Sequence, residues 1–306
     1  MNSNSDKRPG IGRSIRLGVV SVALIAAVVQ AWAQGELYVK SYDGVYVAAA
    51  FRKPSGTGPF PALLFIHGRN GGLGMQPMKD WTHHRVPEHF HQLGYVVMST
   101  DYRRYHFGED EIQDVLAAYR TLESLPFVDK ARIGVIGGSH GGYLAKMLAT
   151  RITPAAVVSF AGLTDIEGKF FDDAQALRQS FQGWEEWRAR LLTDPNPATG
   201  NARQEQTLDL AWHFGDRREL YRLISPKDNA ARITCPILFL AGGNDILRIA
   251  GKSLIDDLRA RGVKAEYSEH AGVGHGFYWG RDEPPPRQFY DALKATTDFV
   301  DRHVRR

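Results

Sequence analysis

From residue 37 onward, runs of apolar residues divide the chain into short strands and longer helices. Residues 37–41 and 45–51 flank Tyr42-Asp43-Gly44, and Asp-Gly is a strong hairpin signal, so the body opens with an antiparallel pair. Residues 61–67 and 95–100 are continuous apolar runs, as expected of strands buried on both faces. Residues 132–136, 155–160, 236–241 and 265–270 also read as strands. Helices are predicted over 86–93, 109–125, 142–150, 249–261 and 286–303. In the second of these, Ile112, Val115, Leu116, Tyr119 and Leu122 share one face, and Pro126 ends it. This alternation predicts an α/β fold, a mostly parallel central sheet with helices on both faces.

One stretch breaks the alternation. Residues 163–225 contain no convincing strand and read as two or three helices around Asp194-Pro195-Asn196-Pro197. Leu177, Phe181, Trp184, Arg188 and Leu191 repeat at helical spacing. Phe170, Phe171, Trp187, Trp212, Phe214 and Tyr221 make the stretch aromatic. A helical lid insertion with an aromatic inner wall fits this composition, and so does core packing of the same rings.

The residues before the first strand are of another kind. Lys7, Arg8, Arg13 and Arg16 precede an apolar run of 13 residues, 17–29, broken only by Gly18 and Ser21, and Ala31-Trp32-Ala33 supplies a small-x-small cleavage pattern. The expectation is a signal peptide over 1–33, a mature catalytic domain over 34–306, and a secreted or periplasmic protein. The alternative is a retained anchor. Thirteen helical residues span about 20 Å, short of a hydrocarbon core of roughly 30 Å.

Composition narrows the chemistry. Hydrophobic residues make up 43% of the 306 and charged residues 24%, an ordinary globular mixture. Cys235 is the only cysteine, which excludes an internal disulfide framework and a paired-cysteine zinc or redox site. Residues 34–306 carry 34 basic and 33 acidic side chains, so no excess charge points to nucleic acid or an anionic membrane.

Four places carry reactive residue types. Gly137-Gly138-Ser139-His140-Gly141-Gly142 lies between a predicted strand and a predicted helix, the context of a nucleophile elbow. Such a turn leaves no room for side chains beside the serine and lifts its hydroxyl above the sheet edge. The N–H of His140, at a helix N-terminus, can then donate to a developing oxyanion. His275 stands in the glycine-rich loop 272–277 after the last strand, and a flexible loop lets it reach over a serine. Asp245 follows the strand at 236–241, where a carboxylate can hold an imidazole in one tautomer. Asp282 and Glu283 are the alternative carboxylates. The loop His67-Gly68-Arg69-Asn70-Gly71-Gly72 can aim a second backbone N–H, that of Arg69, at the same oxyanion. Phe171, Trp184 and Tyr143 are the candidate substrate contacts.

The segment 137–143, Ala161-Gly162-Leu163-Thr164-Asp165, Ser225-Pro226 and Gly274-His275-Gly276-Phe277 together resemble the catalytic domain of the prolyl oligopeptidase family of serine peptidases, which has the α/β-hydrolase fold. Asp114, Val128-Asp129 and Arg132-Ile133 are similar too. The resemblance runs from about residue 110 to 280 and implies Ser139 as nucleophile, Asp245 as triad acid and His275 as base. Two features depart from the family. Only 26 residues separate Gln34 from Pro61, too few for a β-propeller, and Arg69 stands where several members carry a tyrosine.

Other chemistries fit less well. His83, His84, Glu88, His89 and His91 cluster without metal-ligand spacing, and 71–74 lacks the Lys-Ser/Thr of a phosphate loop. Arg103 and Arg104 read as a solvated loop, with binding of a substrate carboxylate as the alternative, and Cys235 as buried and inert. The expected protein is a serine hydrolase that needs no cofactor or metal. It acts on a small ester or a short peptide, and has neither a nucleic-acid partner nor stable membrane association after signal cleavage. The alternative class is a non-catalytic α/β-hydrolase-like binding protein.

Overall fold

The computed structural model describes residues 33–69, 71–104, 107–180 and 202–305. Among these, no helix is long and apolar enough to cross a membrane. The expected signal segment, apart from Ala33, lies outside the described residues, and so do Trp184 and Trp187.

Strands β1 (Gln34–Lys40) and β2 (Tyr46–Arg52) form the antiparallel hairpin that Asp43-Gly44 predicts, with Tyr38 opposite Ala48. Strand β3 (Phe60–Ile66) is apolar throughout and buried along most of its length. Helix α1 (Met75–Thr82) follows, where no helix was expected. Its opening Gly74 and internal Pro77 disguise it, yet proline is tolerated in a first turn, whose N–H groups have no intrahelical acceptor. Met78 and Trp81 of this helix cover Ala48 and Ala50 on the outer face of β2. Helix α2 (Arg85–Gln92) leads to strand β4 (Val96–Thr100), and helix α3 (Glu109–Ser124) to strand β5 (Val128–Gly138). Strand β5 begins earlier than predicted, because Val128 pairs with Phe60 before a register shift.

Helix α4 (His140–Ala149) starts one residue after Ser139, two earlier than predicted, and is buried on every side. Its Lys146 is wholly buried, donating to the Gly162 carbonyl at 2.9 Å and to Thr164 Oγ1 at 2.7 Å. Burial pulls its pKa well below the usual lysine value. Strand β6 (Ala156–Phe160) precedes the region expected to lack strands. Its described part holds only helices: α5 (Ile166–Ser180), α6 (Ala202–Phe214) and α7 (Arg218–Leu223). Strand β7 (Ile237–Gly242), helix α8 (Leu247–Ala260), strand β8 (Ala265–His270) and helix α9 (Arg287–Val300) complete the order.

The eight strands form one sheet in the order β1-β2-β4-β3-β5-β6-β7-β8. β2 runs antiparallel to both β1 and β4, and β3 to β8 are parallel to one another. The C-terminal ends of β3, β5, β7 and β8 therefore open at one edge, where loops can converge.

Arg103 corrects the sequence reading. It is not solvated but buried, with Nε 2.9 Å from Asp114 Oδ2 and Nη1 2.6 Å from Asp43 Oδ2. It thereby ties the β1–β2 turn to α3. The hydrogen bonds from Arg103 hold the Asp43 carboxyl well below the usual aspartate range. Cys235 is buried as expected, and burial pushes its thiol up to about 12.

Candidate active site

The turn between β5 and α4 is built around glycine. A Cβ on Gly137 would stand 2.1 Å from the Gly141 carbonyl oxygen, and one on Gly141 would stand 2.1 Å from that of Ile66. Only bare backbone lets the start of α4 press so closely on the ends of β5 and β3. Ser139 has φ 55° and ψ −119°, a region that costs a non-glycine residue about 1–3 kcal/mol. Its N–H donates to the Phe160 carbonyl at 2.8 Å, and its own carbonyl accepts from Tyr143 N–H at 3.1 Å.

Two further loops meet this turn. After β7, Gly243 N–H donates to His270 O at 2.8 Å and Asn244 N–H to Val273 O at 3.0 Å, lacing the 242–245 turn to the loop after β8. Asp245 sits within this seam, its side chain only 3% exposed. It accepts from Leu247 N–H at 2.9 Å. His275 Nδ1 lies 2.6 Å from Asp245 Oδ2, and His275 Nε2 lies 2.9 Å from Ser139 Oγ. The three side chains expected to act together are thus joined in one hydrogen-bonded line. Asp282 and Glu283 play no part in it: Glu283 pairs with Arg85.

The loop after β3 runs beside the serine. A Cβ on Gly68 would be 3.2 Å from Ser139 Cβ. Arg69 has a left-handed φ of 69°, and its carbonyl accepts from the Tyr102 hydroxyl at 2.5 Å. Asp101, at the end of β4, gathers the rest of the loop. Its carboxylate accepts from Gly72 N–H at 3.0 Å, Gly74 N–H at 2.8 Å and Tyr102 N–H at 2.8 Å, and His67 Nε2 lies 3.1 Å away. Sequence reading missed Asp101, although a carboxylate at the C-terminal end of a predicted parallel strand was the available signal.

His140 opens α4, so its N–H has no intrahelical acceptor. Its side chain turns away from solvent into a buried cluster of Glu111, Tyr102, Phe107 and Tyr143. Burial raises the Glu111 carboxyl above its ordinary value, while the nearby His140 lowers it in part. Tyr143 is fully buried and stacked on Phe107 at 5.1 Å, so it stands in the packing behind the elbow and not on an open wall. Phe171 packs edge-on against Tyr221, with the Arg218 guanidinium 3.9 Å over its ring. Tyr278 and Trp279, not singled out in the sequence, close the space behind Gly138, whose Cβ would meet both rings at 2.6 Å. Tyr278 also stacks on Phe160 at 4.7 Å.

The histidine cluster before β4 is otherwise engaged. Glu88 pairs with Arg52, His89 Nε2 lies 2.9 Å from Thr297 Oγ1, and the His84 ring packs at 4.8 Å on Trp81. Among the described residues no group of His, Cys, Asp and Glu side chains is arranged to hold a metal ion.

Residues 63–279 match a family model described as the alpha/beta hydrolase fold. The chain is 28% identical over 177 residues to the uncharacterized peptidase YuxL of Bacillus subtilis, covering 49% of this chain and 26% of that protein. The first curated relatives are matched over only 26% and 52% of their own length. Among solved structures, an esterase of Pyrobaculum calidifontis superposes with a TM-score of 0.64 at 19% identity, over 98% of this chain and 96% of that one. A puromycin-hydrolyzing peptidase of Mycobacterium tuberculosis gives 0.66 at 20% identity, over 89% of this chain and 40% of that one. At such identities these two likenesses speak for the fold alone.

Proposed function

The chain belongs to the α/β hydrolase fold family, and from that premise we propose that it is an exported serine hydrolase that cleaves small carboxylic esters or short peptides through an acyl-serine intermediate. One observation carries the reading: the line from Asp245 through His275 to Ser139, with both distances at or under 2.9 Å.

In the proposed reaction His275 Nε2 takes the Ser139 proton as Oγ attacks the acyl carbon. The carbonyl π electrons move onto oxygen, and the N–H groups of His140 and Arg69 receive that charge. One such donor is worth roughly 10²–10³ in rate. The tetrahedral intermediate collapses, and the leaving alcohol or amine takes its proton from His275. Water then attacks the acyl-serine by the same route, releasing the acid and restoring the Ser139 hydroxyl. Asp245 keeps the Nδ1 proton in place and stabilises the imidazolium. The described helices between β6 and β7 are proposed as the lid, and α6 meets the elbow from behind through Gln206, which lies 3.0 Å from His140 Nδ1.

The test is labelling with a fluorophosphonate probe. The expected result is one label on Ser139, lost in Ser139→Ala with the fold unchanged by circular dichroism; a label that persists in that variant refutes the reading. Export rests on the basic and apolar residues before Gln34, and the secreted or periplasmic chain is expected to begin at Gln34 by N-terminal sequencing.

A further inference from the structure

Four of the six residues in the elbow, Gly137, Gly138, Gly141 and Gly142, offer no side chain. The turn nevertheless holds Ser139 in a strained conformation, and such conformations persist only when their surroundings over-determine them. Apart from the nucleophile itself, His140 is the only side chain by which the turn can be gripped. It is gripped at both ring nitrogens. Nε2 lies 2.7 Å from Glu111 Oε2, and Nδ1 lies 3.0 Å from the Gln206 amide nitrogen. His140 is 1% exposed and Glu111 3%. With the Gln206 amide donating to Nδ1, the ring carries its proton on Nε2 and gives it to Glu111. Tyr102 stacks on the ring at 5.5 Å and Phe107 packs tilted against it at 4.8 Å between centroids, which restricts its rotation. The Phe107 N–H in turn donates to Asp209, one helical turn beyond Gln206 on α6.

We infer that Glu111 is a positioning residue for the oxyanion donor: by holding the His140 ring it fixes the peptide between Ser139 and His140, and Gln206 makes that hold depend on α6 being docked. The inference rests on the serine hydrolase reading and deepens it. Its physical basis is simple. The direction of the His140 N–H is set by ψ of Ser139 and φ of His140. A strained residue can relax by rotating that peptide, which would turn the N–H away from the substrate oxygen. Clamping the His140 side chain at two nitrogens opposes that rotation. Glu111 touches neither substrate nor nucleophile, so its contribution is felt where oxyanion charge develops.

The experiment compares Glu111→Ala with Glu111→Gln, whose amide oxygen can still accept from Nε2, on a short-chain aryl ester, with sites counted by phosphonate titration. Glu111→Ala is expected to lower kcat per titrated site about 30-fold, part of the roughly 10²–10³ that an oxyanion donor supplies. KM should stay within about twofold, because ground-state binding is untouched. A trifluoromethyl ketone, which forms an oxyanionic hemiketal on the serine, should bind Glu111→Ala more weakly by a similar factor. Glu111→Gln should recover most of the loss. A wild-type kcat per site in Glu111→Ala, a loss confined to KM, or a Glu111→Gln as impaired as the alanine would overturn the inference. Should Glu111→Ala not fold, Gln206→Leu, on the half-buried side of the ring, carries the same test. It is expected to lower kcat about threefold at constant KM, and an unchanged kcat there overturns the coupling to α6. If the wild type takes no phosphonate label, the hydrolase reading fails; if it labels and these variants behave like wild type, only the positioning role fails.

Discussion

Asp245 offers the sharpest test at the scale of single residues. Its side chain is almost sealed from solvent and directs one oxygen at His275 Nδ1. Asp245→Asn should preserve the fold but present an N–H where an acceptor is needed, favouring the wrong tautomer of His275. A loss in kcat of about 10⁴-fold is expected, with thermal stability near wild type. A loss below roughly tenfold would move the role to another carboxylate. His84 answers a different question, the dependence of stability on acid. Burial, with Arg281 and Arg85 nearby, lowers its pKa from 6.5 to about 4. The unfolded chain therefore binds this proton at a higher pH than the folded one, so stability is fully present above about 6.5 and is lost as the pH falls toward 4. His84→Gln should flatten the decline of Tm between pH 7 and 4.5, and an unchanged slope would show that other groups govern it.

At the scale of elements, the grouping of Ser139, Asp245 and His275 was legible because each follows a predicted strand in a glycine-rich turn, where packing has no use for it. Glu111 and Asp114 were not legible in the same way. Acids in the first turns of a helix ordinarily complement its dipole in water. Here the register of α3 turns both inward, beside apolar neighbours such as Val115 and Ala118. Arg103 was missed because one of its partners, Asp43, lies 60 residues earlier, beyond any local pattern. Its role in joining the β1–β2 turn to α3 gives a prediction. Arg103→Met leaves Asp114, which is wholly buried, without its cation. Removing one partner of a buried pair costs about 3–5 kcal/mol. Urea unfolding at neutral pH should show that loss, while a change below roughly 1 kcal/mol would mean that Asp114 finds another donor or takes up a proton.

For the molecule as a whole, the proposed hydrolase raises the question of which acyl bond its site would prefer. The resemblance to peptidases and the shared fold with esterases pull in opposite directions. Amide hydrolysis needs remote binding energy, because its leaving group is poor and must be protonated as the bond breaks. Trp279 and Tyr278 are buried behind Gly138 and pack the elbow without facing a substrate, so they supply no such binding. An activated aryl ester has a good leaving group and asks less of such binding. Short-chain aryl esters should therefore show a higher kcat/KM than Xaa-Pro or aminoacyl anilides measured under the same conditions. Faster anilide turnover would favour the peptidase instead.

The Asp101 clasp has a consequence for how the loop after β3 can be watched. Gly72 is solvent-exposed, yet its N–H is shared between the Tyr102 carbonyl at 2.7 Å and the Asp101 carboxylate at 3.0 Å, and Gly74 N–H is held at 2.8 Å. Exposed loop amides ordinarily exchange their hydrogens with water almost freely. These two should instead exchange slowly, because the Asp101 carboxylate must let go before either is released, and for Gly72 the Tyr102 carbonyl as well. Their deuterium uptake becomes a clock for the opening of this loop, readable in the resting protein with no substrate present. Asp101→Ala should set the Gly74 amide running at the rate of an unstructured chain and speed Gly72 by less, since its bond to the Tyr102 carbonyl remains, while the core of the sheet keeps its protection.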